Sequence, residues 1–341
     1  MSPAALNLII FFSIVLVVGL ALLLTGKRIS IQGKFRKLEV LREDILKQLF
    51  HVENGKRTAT ISDLSGVLKI SRTKLLPIIE SMTSEGDINL EDDKLFLSEA
   101  GKEKALKIIR THRLWEKYLA EKTGHEAEEW HYMAEQMEHK LDDNDLAKLT
   151  AILGDPLYDP HGDPIPSKEG QIIAVKWQPL PSFPVNQPGK IVHIEDEPAV
   201  VYEQILEKRI FIGSHIIITR SSANEIVFKC EGQEHKLSPI VAANINIEPL
   251  DEGELFEDNA IRLSALKTGE SASIIGLSQE CRGANRRRLL DLGLLPGTEV
   301  KVDMFSPMKD PVAYQIRNTS IALRNSLADL VLIKKLYDGK E

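Results

Sequence analysis

At 341 residues the chain is too long for one ordinary hydrophobic core, and its length predicts two or three domains. A formal net charge of −7 argues against a protein that coats nucleic acid without sequence preference, although a local basic face is compatible with it. The two cysteines, Cys230 and Cys281, are far apart and outside any Cys-x-x-Cys motif, which argues against a disulfide framework or a cysteine zinc site and favours a reducing compartment.

The first predicted element is an apolar run from Leu6 to Thr25 that contains no charged residue. About 20 such residues are long enough to cross a bilayer as a helix. Basic residues follow the run and none precedes it, unlike a cleaved signal peptide, so the positive-inside rule leaves the N-terminus outside and the rest in the cytoplasm. Residues 1–33 are therefore predicted to anchor a single-pass protein in the cytoplasmic membrane. The alternative is a buried helix of a soluble core.

Residues 34–100 have the order of a winged helix-turn-helix domain. Apolar residues at helical spacing predict a first helix over 40–52. Two short helices follow, and Ser71 is expected to cap the second, which is predicted to run to Met82. The stretch INLEDDKLFLSEAG alternates apolar and polar residues around a charged turn, as a wing does.

The helix that starts at Ser71 is the predicted recognition helix, whose first turn would meet bases and phosphates. Three features weigh against DNA binding: Pro77 lies inside this helix, the wing turn at 91–93 is acidic, and residues 34–100 are about neutral overall. The residues predicted to contact DNA are Ser71, Arg72, Thr73 and Lys74.

Residues 101–170 return to long helices with charged outer faces, and they end in a loop rich in Pro, Gly and Asp. On a helix, residues three or four positions apart share a face. The stretch EWHYMAEQMEHKL therefore brings two carboxylates and two imidazoles together, and RTHRLWEKYL adds a His-Glu pair at i, i+4. Oxygen and nitrogen ligands without sulfur favour Mn(II), Fe(II) or Zn(II). The alternative for these residues is a solvated helix face.

Two similar blocks follow, over 171–253 and 254–341. Each has short alternating strands punctuated by glycine, and Gly213 in the first block corresponds to Gly297 in the second. Such landmarks recur about 80 residues apart, which predicts two small SH3-like β-barrels formed by duplication. Neither block shows a catalytic constellation, and the chain is not predicted to be an enzyme.

Several of these stretches also resemble known families. LSEAGKEKAL, RTHRLWEKYLAEKTG, HYMAEQMEHKL and LGDPLYDPHGDPIP, in this order within residues 40–166, resemble the metal-dependent repressors of the diphtheria toxin repressor and MntR type. LKTGESASIIGL, RRRLLDLGLLPGTEVKV and LADLVLI resemble the FeoA domain, the SH3-like module of ferrous iron transport systems, and residues 187–249 resemble it more weakly. The resemblance implies a multidomain α+β fold and a homodimer.

Carried over residue by residue, the resemblance implies two metal sites. Glu135 stands where iron-type members have cysteine and manganese-type members have a carboxylate, which favours oxygen-rich chemistry. In the family, metal bridges the first helix to the dimerisation helices and shifts the population toward the spacing that fits two DNA half-sites. The primary site would comprise Asp44, Glu135, Glu138 and His139, and the ancillary site His112, Glu116 and His131.

Two functions are expected from these features. The first is a membrane-anchored regulator of iron or manganese homeostasis that binds DNA in response to Mn(II) or Fe(II), with Zn(II) as a further candidate. The alternative keeps the fold and the metal site but acts on a ferrous iron transporter through protein contacts, without DNA. A purely structural role for the two barrels, in dimer packing or in completing the metal site, is a third possibility.

Overall fold

The computed structural model describes residues 36–250, 257 and 259–336. None of the helices in these ranges combines the length and the apolar character needed to cross a bilayer. The predicted span from Leu6 to Thr25 lies outside the described residues.

The chain divides into two compact units. The first ends at Arg110 and includes Lys168–Gly170, and the second comprises Thr111–Ser167 and continues from Gln171. The predicted domain boundaries are finer than this division, and they stay predictions.

The first unit has the winged helix-turn-helix order that the sequence predicts. Its three-stranded antiparallel sheet has the order β1-β3-β2, and its core contains Ile45, Leu49, Leu75 and Ile79, all fully buried. The elements are α1 (36–54), β1 (Ala59–Thr60), α2 (Ile61–Val67), α3 (Arg72–Ser84), β2 (Ile88–Glu91) and β3 (Lys94–Leu97).

The predicted wing is confirmed, because β2 and β3 pair as a hairpin around Asp92, whose φ is +56°. The predicted cap of α3 is wrong in one detail. Ser71 occupies the N-cap position, but its side chain makes no capping hydrogen bond, and its Oγ lies 3.2 Å from Oγ1 of Thr73. Pro77 lies inside α3, as predicted.

The helices that carry the candidate metal ligands are α4 (Glu99–Lys122), which crosses from the first unit into the second, α5 (Ala127–Glu138) and α6 (Asp143–Leu153). Within the second unit, Leu114 of α4 packs with Leu149 of α6 and with Ile165, and all three are buried. Apolar residues on one face of α4 thus fix its rotation, and with it the direction of the polar residues beside them.

Two antiparallel six-stranded sheets follow, which we call the first β-module (178–249) and the second β-module (261–336). The strand orders are β4-β9-β5-β6-β7-β8 and β10-β15-β11-β12-β13-β14. The first module consists of β4 (Gln178–Pro179), β5 (Pro188–Ile194), α7 (Ala199–Glu207), β6 (His215–Ser221), β7 (Ile226–Cys230), β8 (Gln233–Leu237), α8 (Pro239–Ala242) and β9 (Ile245–Pro249). The second consists of β10 (Ile261–Arg262), β11 (Ser271–Leu277), α9 (Gly283–Asp291), β12 (Glu299–Phe305), β13 (Val312–Ile316), β14 (Thr319–Leu323), α10 (Asn325–Ala328) and β15 (Val331–Leu336).

The two modules have the same strand order and place their helices at the same points of it, which is consistent with the predicted duplication. Each also has a register shift in its second strand, after Ile191 in β5 and after Ile274 in β11. In the strand order, the first and last strands of each sheet are not hydrogen-bonded to one another, so the predicted SH3-like barrels stay a prediction.

Buried polar residues join the two β-modules. Glu231 of the first module accepts hydrogen bonds from Arg262 (2.9 Å) and from the Ser278 hydroxyl (2.6 Å) of the second. In the opposite direction, Arg209 of the first module pairs with Glu280 (2.6 Å) and with Asp329. Each buried charge has a partner of opposite sign, which is the condition for a charged contact to stabilise an interface.

Candidate metal centre

The predicted pair on α4 forms the floor of a buried cluster. His112 and Glu116 are 5% and 2% exposed, and Nε2 of His112 lies 3.0 Å from Oε1 of Glu116. One helical turn separates them, so both side chains lie on the same face of α4. An ionisable pair at this depth needs a charge partner, a hydrogen bond or a metal.

The next helix brings His131 to this floor. Its Nδ1 lies 3.4 Å from Oε1 of Glu116, and the ring centres of His112 and His131 are 4.9 Å apart. One ligand atom from each of His112, Glu116 and His131 lies within 4.8 Å of the others. The structure thus brings together the three residues predicted for the ancillary site.

Two further residues complete the cluster, and the sequence analysis missed both. Nε2 of His161 lies 3.8 Å from Glu116 and 3.8 Å from Asp196, and Oδ2 of Asp196 lies 2.9 Å from Nδ1 of His131. His161 lies in a turn, but it is 2% exposed and faces Glu116 and Asp196.

The side chain of Asp159 and the conformation of Gly162 hold the loop that carries His161. Asp159 Oδ1 accepts hydrogen bonds from the amides of His161 (2.8 Å) and Asp163 (2.9 Å). Gly162 has φ +91°, and a Cβ there would lie 2.0 Å from the carbonyl oxygen of Val192 in β5. Only glycine allows this approach, so the loop docks on the strand that leads to Asp196.

An arginine of α4 supports the same loop. Arg113 donates to the carbonyl oxygen of Pro164 (2.7 Å) and pairs with Asp163 (2.9 Å), and its Nε lies 3.7 Å from Asp159. Arg113 is adjacent to His112 in the sequence. Helix α4 therefore supplies His112 and Glu116 to the cluster, and its Arg113 also holds the loop that carries His161.

Three imidazole nitrogens in this cluster are buried without a hydrogen bond: Nδ1 of His131 and both ring nitrogens of His161. Nδ1 of His131 is close to Asp196 but is not aligned for a hydrogen bond with it. Buried polar atoms are normally satisfied. A divalent cation between these imidazoles and the carboxylates of Glu116 and Asp196 would satisfy them, and the donor set of imidazole and carboxylate is typical of Mn(II), Fe(II) and Zn(II) sites.

The charges in the cluster are strongly coupled. Burial would raise the pKa of Glu116, but the surrounding imidazoles, led by His112, hold it well below its ordinary range. Burial also opposes the charged form of His131, but nearby carboxylates, led by Asp196, raise its pKa. Asp196 is held ionised in the same way, since its contact with His131 lowers its pKa despite burial. The lowered pKa values keep Glu116 and Asp196 negative, which is the state that binds a metal, whereas the raised pKa of His131 favours its imidazolium, so a metal would have to displace a proton from His131.

Two acidic side chains form an exposed rim around His131. Glu135 on α5 lies 3.5 Å from Nε2 of His131, and Glu197 after β5 lies 3.4 Å from it. Their side chains are 52% and 70% exposed, whereas that of His131 is 30% exposed. The cluster therefore has a buried floor and an open acidic side.

The remaining predicted ligands lie at the end of α5 and on α1. Oε2 of Glu138 lies 2.5 Å from Nδ1 of His112, and Nε2 of His139 lies 3.4 Å from Oε1 of Glu138. His112 thus connects Glu138 to the buried cluster. Asp44 is half-buried on α1 in the first unit, whereas the other six predicted ligands lie in the second unit.

The four predicted DNA-contacting residues lie exposed at the start of α3. Arg72 is not available as a free cation, because its guanidinium pairs with Asp93 of the wing at 2.9 Å. Both side chains are about half exposed, so the contact is solvated. The acidic wing that the sequence revealed therefore contacts the recognition helix directly.

Comparison with known families matches two segments of the chain. Residues 98–167 match the family described as the iron dependent repressor, metal binding and dimerisation domain. Residues 261–335 match the FeoA domain. The first segment contains the floor of the buried cluster, and the second is nearly coextensive with the second β-module.

Relatives of two kinds share parts of the chain. A probable metal transport system membrane protein of Chlamydia trachomatis is 37% identical over 87 residues, which are 26% of this chain and 19% of that protein. The iron-dependent repressor IdeR of Mycobacterium leprae is 21% identical over 211 residues, which are 58% of this chain and 91% of that protein. The chain therefore spans about a fifth of the first relative and most of the second.

A solved structure has a similar fold over part of this chain. It is a manganese-dependent transcriptional repressor in complex with manganese, 25% identical, with a TM-score of 0.56. The alignment covers 61% of this chain and 100% of that protein. The chain thus has a fold similar to that of metal-dependent repressors, with additional residues beyond it.

Proposed function

We propose that this chain is a membrane-anchored transcriptional regulator that binds DNA in response to a divalent metal and controls iron or manganese homeostasis. The observation that carries the proposal is the buried cluster of His112, Glu116, His131, His161 and Asp196, with its unsatisfied imidazole nitrogens. The cluster is built on the segment that matches the repressor metal-binding domain, and a winged helix-turn-helix fold precedes it. The proposed role is regulatory and not enzymatic.

Mn(II) or Fe(II) is the proposed ion, with Zn(II) as a further candidate, because the donors are imidazole nitrogens and carboxylate oxygens without sulfur. The bound ion would supply positive charge among side chains that are otherwise held by mutual pairing. Glu116 lies at the centre and faces three imidazoles. His161 and Asp196 bring the loop and the first β-module to the same point. Metal would therefore fix α4, α5 and β5 relative to one another.

Glu135, Glu138, His139 and Asp44 are proposed to hold a second ion, as the family resemblance implies. The link between the two sites would be His112, whose two nitrogens face Glu116 and Glu138. Asp44 would be the ligand through which the ion acts on the DNA-binding helices, since it is the one predicted ligand on α1. Loss of Asp44 should then abolish metal-dependent DNA binding and leave metal binding at the buried cluster intact.

The proposed regulator acts as a homodimer. The matched family is described as a dimerisation domain, and this part of the chain exposes large apolar side chains: Tyr132 (64%), Ile152 (58%) and Leu157 (59%). These side chains are candidates for the dimer interface, where they would be covered by the partner subunit. The anchor is proposed from the uncharged run Leu6–Thr25, with the N-terminus outside.

The test is capture of genomic DNA by the full chain in detergent, with Mn(II), anaerobic Fe(II), Zn(II) or a chelator. Sequencing of the retained fragments should reveal a palindromic site that is enriched only with metal. Replacing Arg72 and Lys74 by alanine should abolish the enrichment, whereas Lys236→Ala, an exposed cation of the first β-module, should not. Metal binding without any enriched DNA would refute the DNA-binding part of the proposal.

A second candidate function is a membrane-tethered metal sensor that acts on a ferrous iron transport system by protein contact. It is favoured by the FeoA match of residues 261–335 and by the Chlamydia relative, whose name is that of a metal transport membrane protein. The pairing of Arg72 with Asp93 also points away from phosphate contact. Cross-linking of the full chain in cells grown with and without iron would capture the transporter if this function is correct, and metal-dependent DNA capture without a cross-linked transporter would refute it.

A further inference from the structure

A half-buried arginine connects the second β-module to the metal-site helix. Arg282 occupies the N-cap position of α9, and its guanidinium carbon lies 5.3 Å from the ring centre of Trp130 on α5. Its Nε donates to the carbonyl oxygen of Gln279 at 3.4 Å. Among the described residues no carboxylate pairs with this guanidinium, so its main partner is the aromatic face.

Trp130 lies between Arg282 and the cluster. It is 4% exposed, it directly precedes His131, and its ring centre is 5.9 Å from that of His161. Its indole Nε1 donates to the carbonyl oxygen of His125 at 3.0 Å, just before α5 begins. A shift of Trp130 must therefore move both the start of α5 and a ring that lines the candidate site.

The segment that carries Arg282 is itself held by the first β-module. Ser278 donates to Glu231, and Glu280 pairs with Arg209. The first module also contributes Asp196 to the cluster. The cluster therefore contacts the second β-module by two routes. One runs through Trp130 and Arg282, and the other runs through the first β-module, which supplies Asp196 to the cluster.

We propose that Arg282 is a positioning residue that holds Trp130 against His161 and thereby couples the metal cluster to the second β-module. This inference rests on the metal-binding part of the proposed function. A metal that fixes His131 and His161 would fix Trp130, and Trp130 would fix Arg282 and the start of α9. Coupling between sites is reciprocal, so a partner that binds the second β-module would change metal affinity by the same factor.

Hydrogen exchange of the full chain, measured by mass spectrometry with Mn(II) or with chelator, tests the coupling. In the wild type, Mn(II) should slow exchange in peptides covering 278–291 at least several-fold. Arg282→Ala should abolish this effect and weaken Mn(II) binding on the order of 10-fold, as expected for the loss of a residue outside the ligand shell. Arg282→Lys keeps the charge and should retain part of the effect. Arg288→Ala, an exposed position of the same helix, should behave as the wild type.

Calorimetric titration of the same samples with Mn(II) separates the two proposals. If Mn(II) binds the wild type and exchange over 278–291 does not change, the coupling is refuted and the metal-binding proposal stands. If Arg282→Ala transmits the full effect, Arg282 is not the coupling residue. If Mn(II), Fe(II) and Zn(II) all fail to bind, both proposals fall. The wild-type comparison needs no variant, so a misfolded alanine variant would not prevent the test.

Discussion

Replacement of Glu116 by glutamine is the most direct test of the buried cluster. The substitution keeps the size of the side chain and removes its negative charge. Oε1 of Glu116 lies 3.0, 3.4 and 3.8 Å from His112, His131 and His161, so among the described residues it is the carboxylate near all three imidazoles. A neutral amide in its place offers a weaker ligand and directs an NH₂ group at nitrogens that should bind metal.

The expected magnitude follows from linkage. At a Mn(II) concentration of about 100 times the dissociation constant, binding stabilises the wild type by about 2.7 kcal/mol. For a unit of this size that corresponds to a rise in melting temperature of roughly 5–10 °C. If the substitution weakens binding about 100-fold, the same Mn(II) concentration gives only about 0.4 kcal/mol. The metal-induced shift should then fall to within about 2 °C of zero.

The assay is thermal denaturation of the full chain in detergent, with Mn(II) or with chelator. The quantity compared is the shift caused by metal within each variant, because the substitution also changes the stability of the metal-free protein. Glu129→Gln is the matched control: Glu129 lies on α5 and pairs with His125 at 3.1 Å, but both side chains are largely exposed. A full metal-induced shift in Glu116→Gln would refute the assignment of the cluster.

Three further predictions test other parts of the structure. Asp93→Asn should release Arg72 and raise affinity for DNA roughly fivefold at low salt, as for an exposed ion pair worth about 1 kcal/mol; filter binding measures this, and unchanged affinity would show that the pair does not limit binding. Gly162→Ala should lower the free energy of unfolding by on the order of 4 kcal/mol. Gly154 has a similar positive φ but open space around it, so Gly154→Ala should lower the free energy of unfolding by only about 1–2 kcal/mol. Chemical denaturation measures both losses, and similar values would refute the close approach of Gly162 to Val192. Burial would raise the pKa of Asp329, but hydrogen bonds from a serine and an arginine lower it, so its contribution to stability is present above the ordinary aspartate pKa and is lost as the pH falls from there through the lowered pKa. Asp329→Asn should remove this part of the acid sensitivity in melting curves between about pH 5 and about pH 2, and identical curves for the two proteins would contradict it.

The parts of the fold that repeat along the chain could be predicted from the sequence. Helical spacing identified the pair His112 and Glu116, since one helix fixes the distance between them. The alternation in 88–97 gave the wing, and glycine landmarks gave the duplicated modules. All of these depend on contacts between residues close in sequence or on a repeated pattern.

The part of the site contributed by loops could not be predicted in this way. His161 and Asp196 meet Glu116 from a turn and from the end of a strand, and no periodic spacing relates them to it. The available signals were a glycine beside His161 that needs positive φ, and an acidic run at 195–197. Neither signal shows which other residues these side chains would face in the folded protein. Arg282 and Trp130 are further apart still in sequence, and their contact depends on how the second β-module packs against α5.

The acidic rim of Glu135 and Glu197 should affect how fast a metal ion reaches the buried cluster. A cation that diffuses toward His131 meets two solvated carboxylates before it reaches the buried floor. Charges at such a mouth accelerate encounter, and salt screens them over a Debye length of about 8 Å at physiological ionic strength. Neutralising the rim should therefore slow metal capture and make its rate insensitive to salt. How rapidly the protein responds to a change in metal supply would thus be set at the surface, by residues separate from the five side chains of the buried cluster.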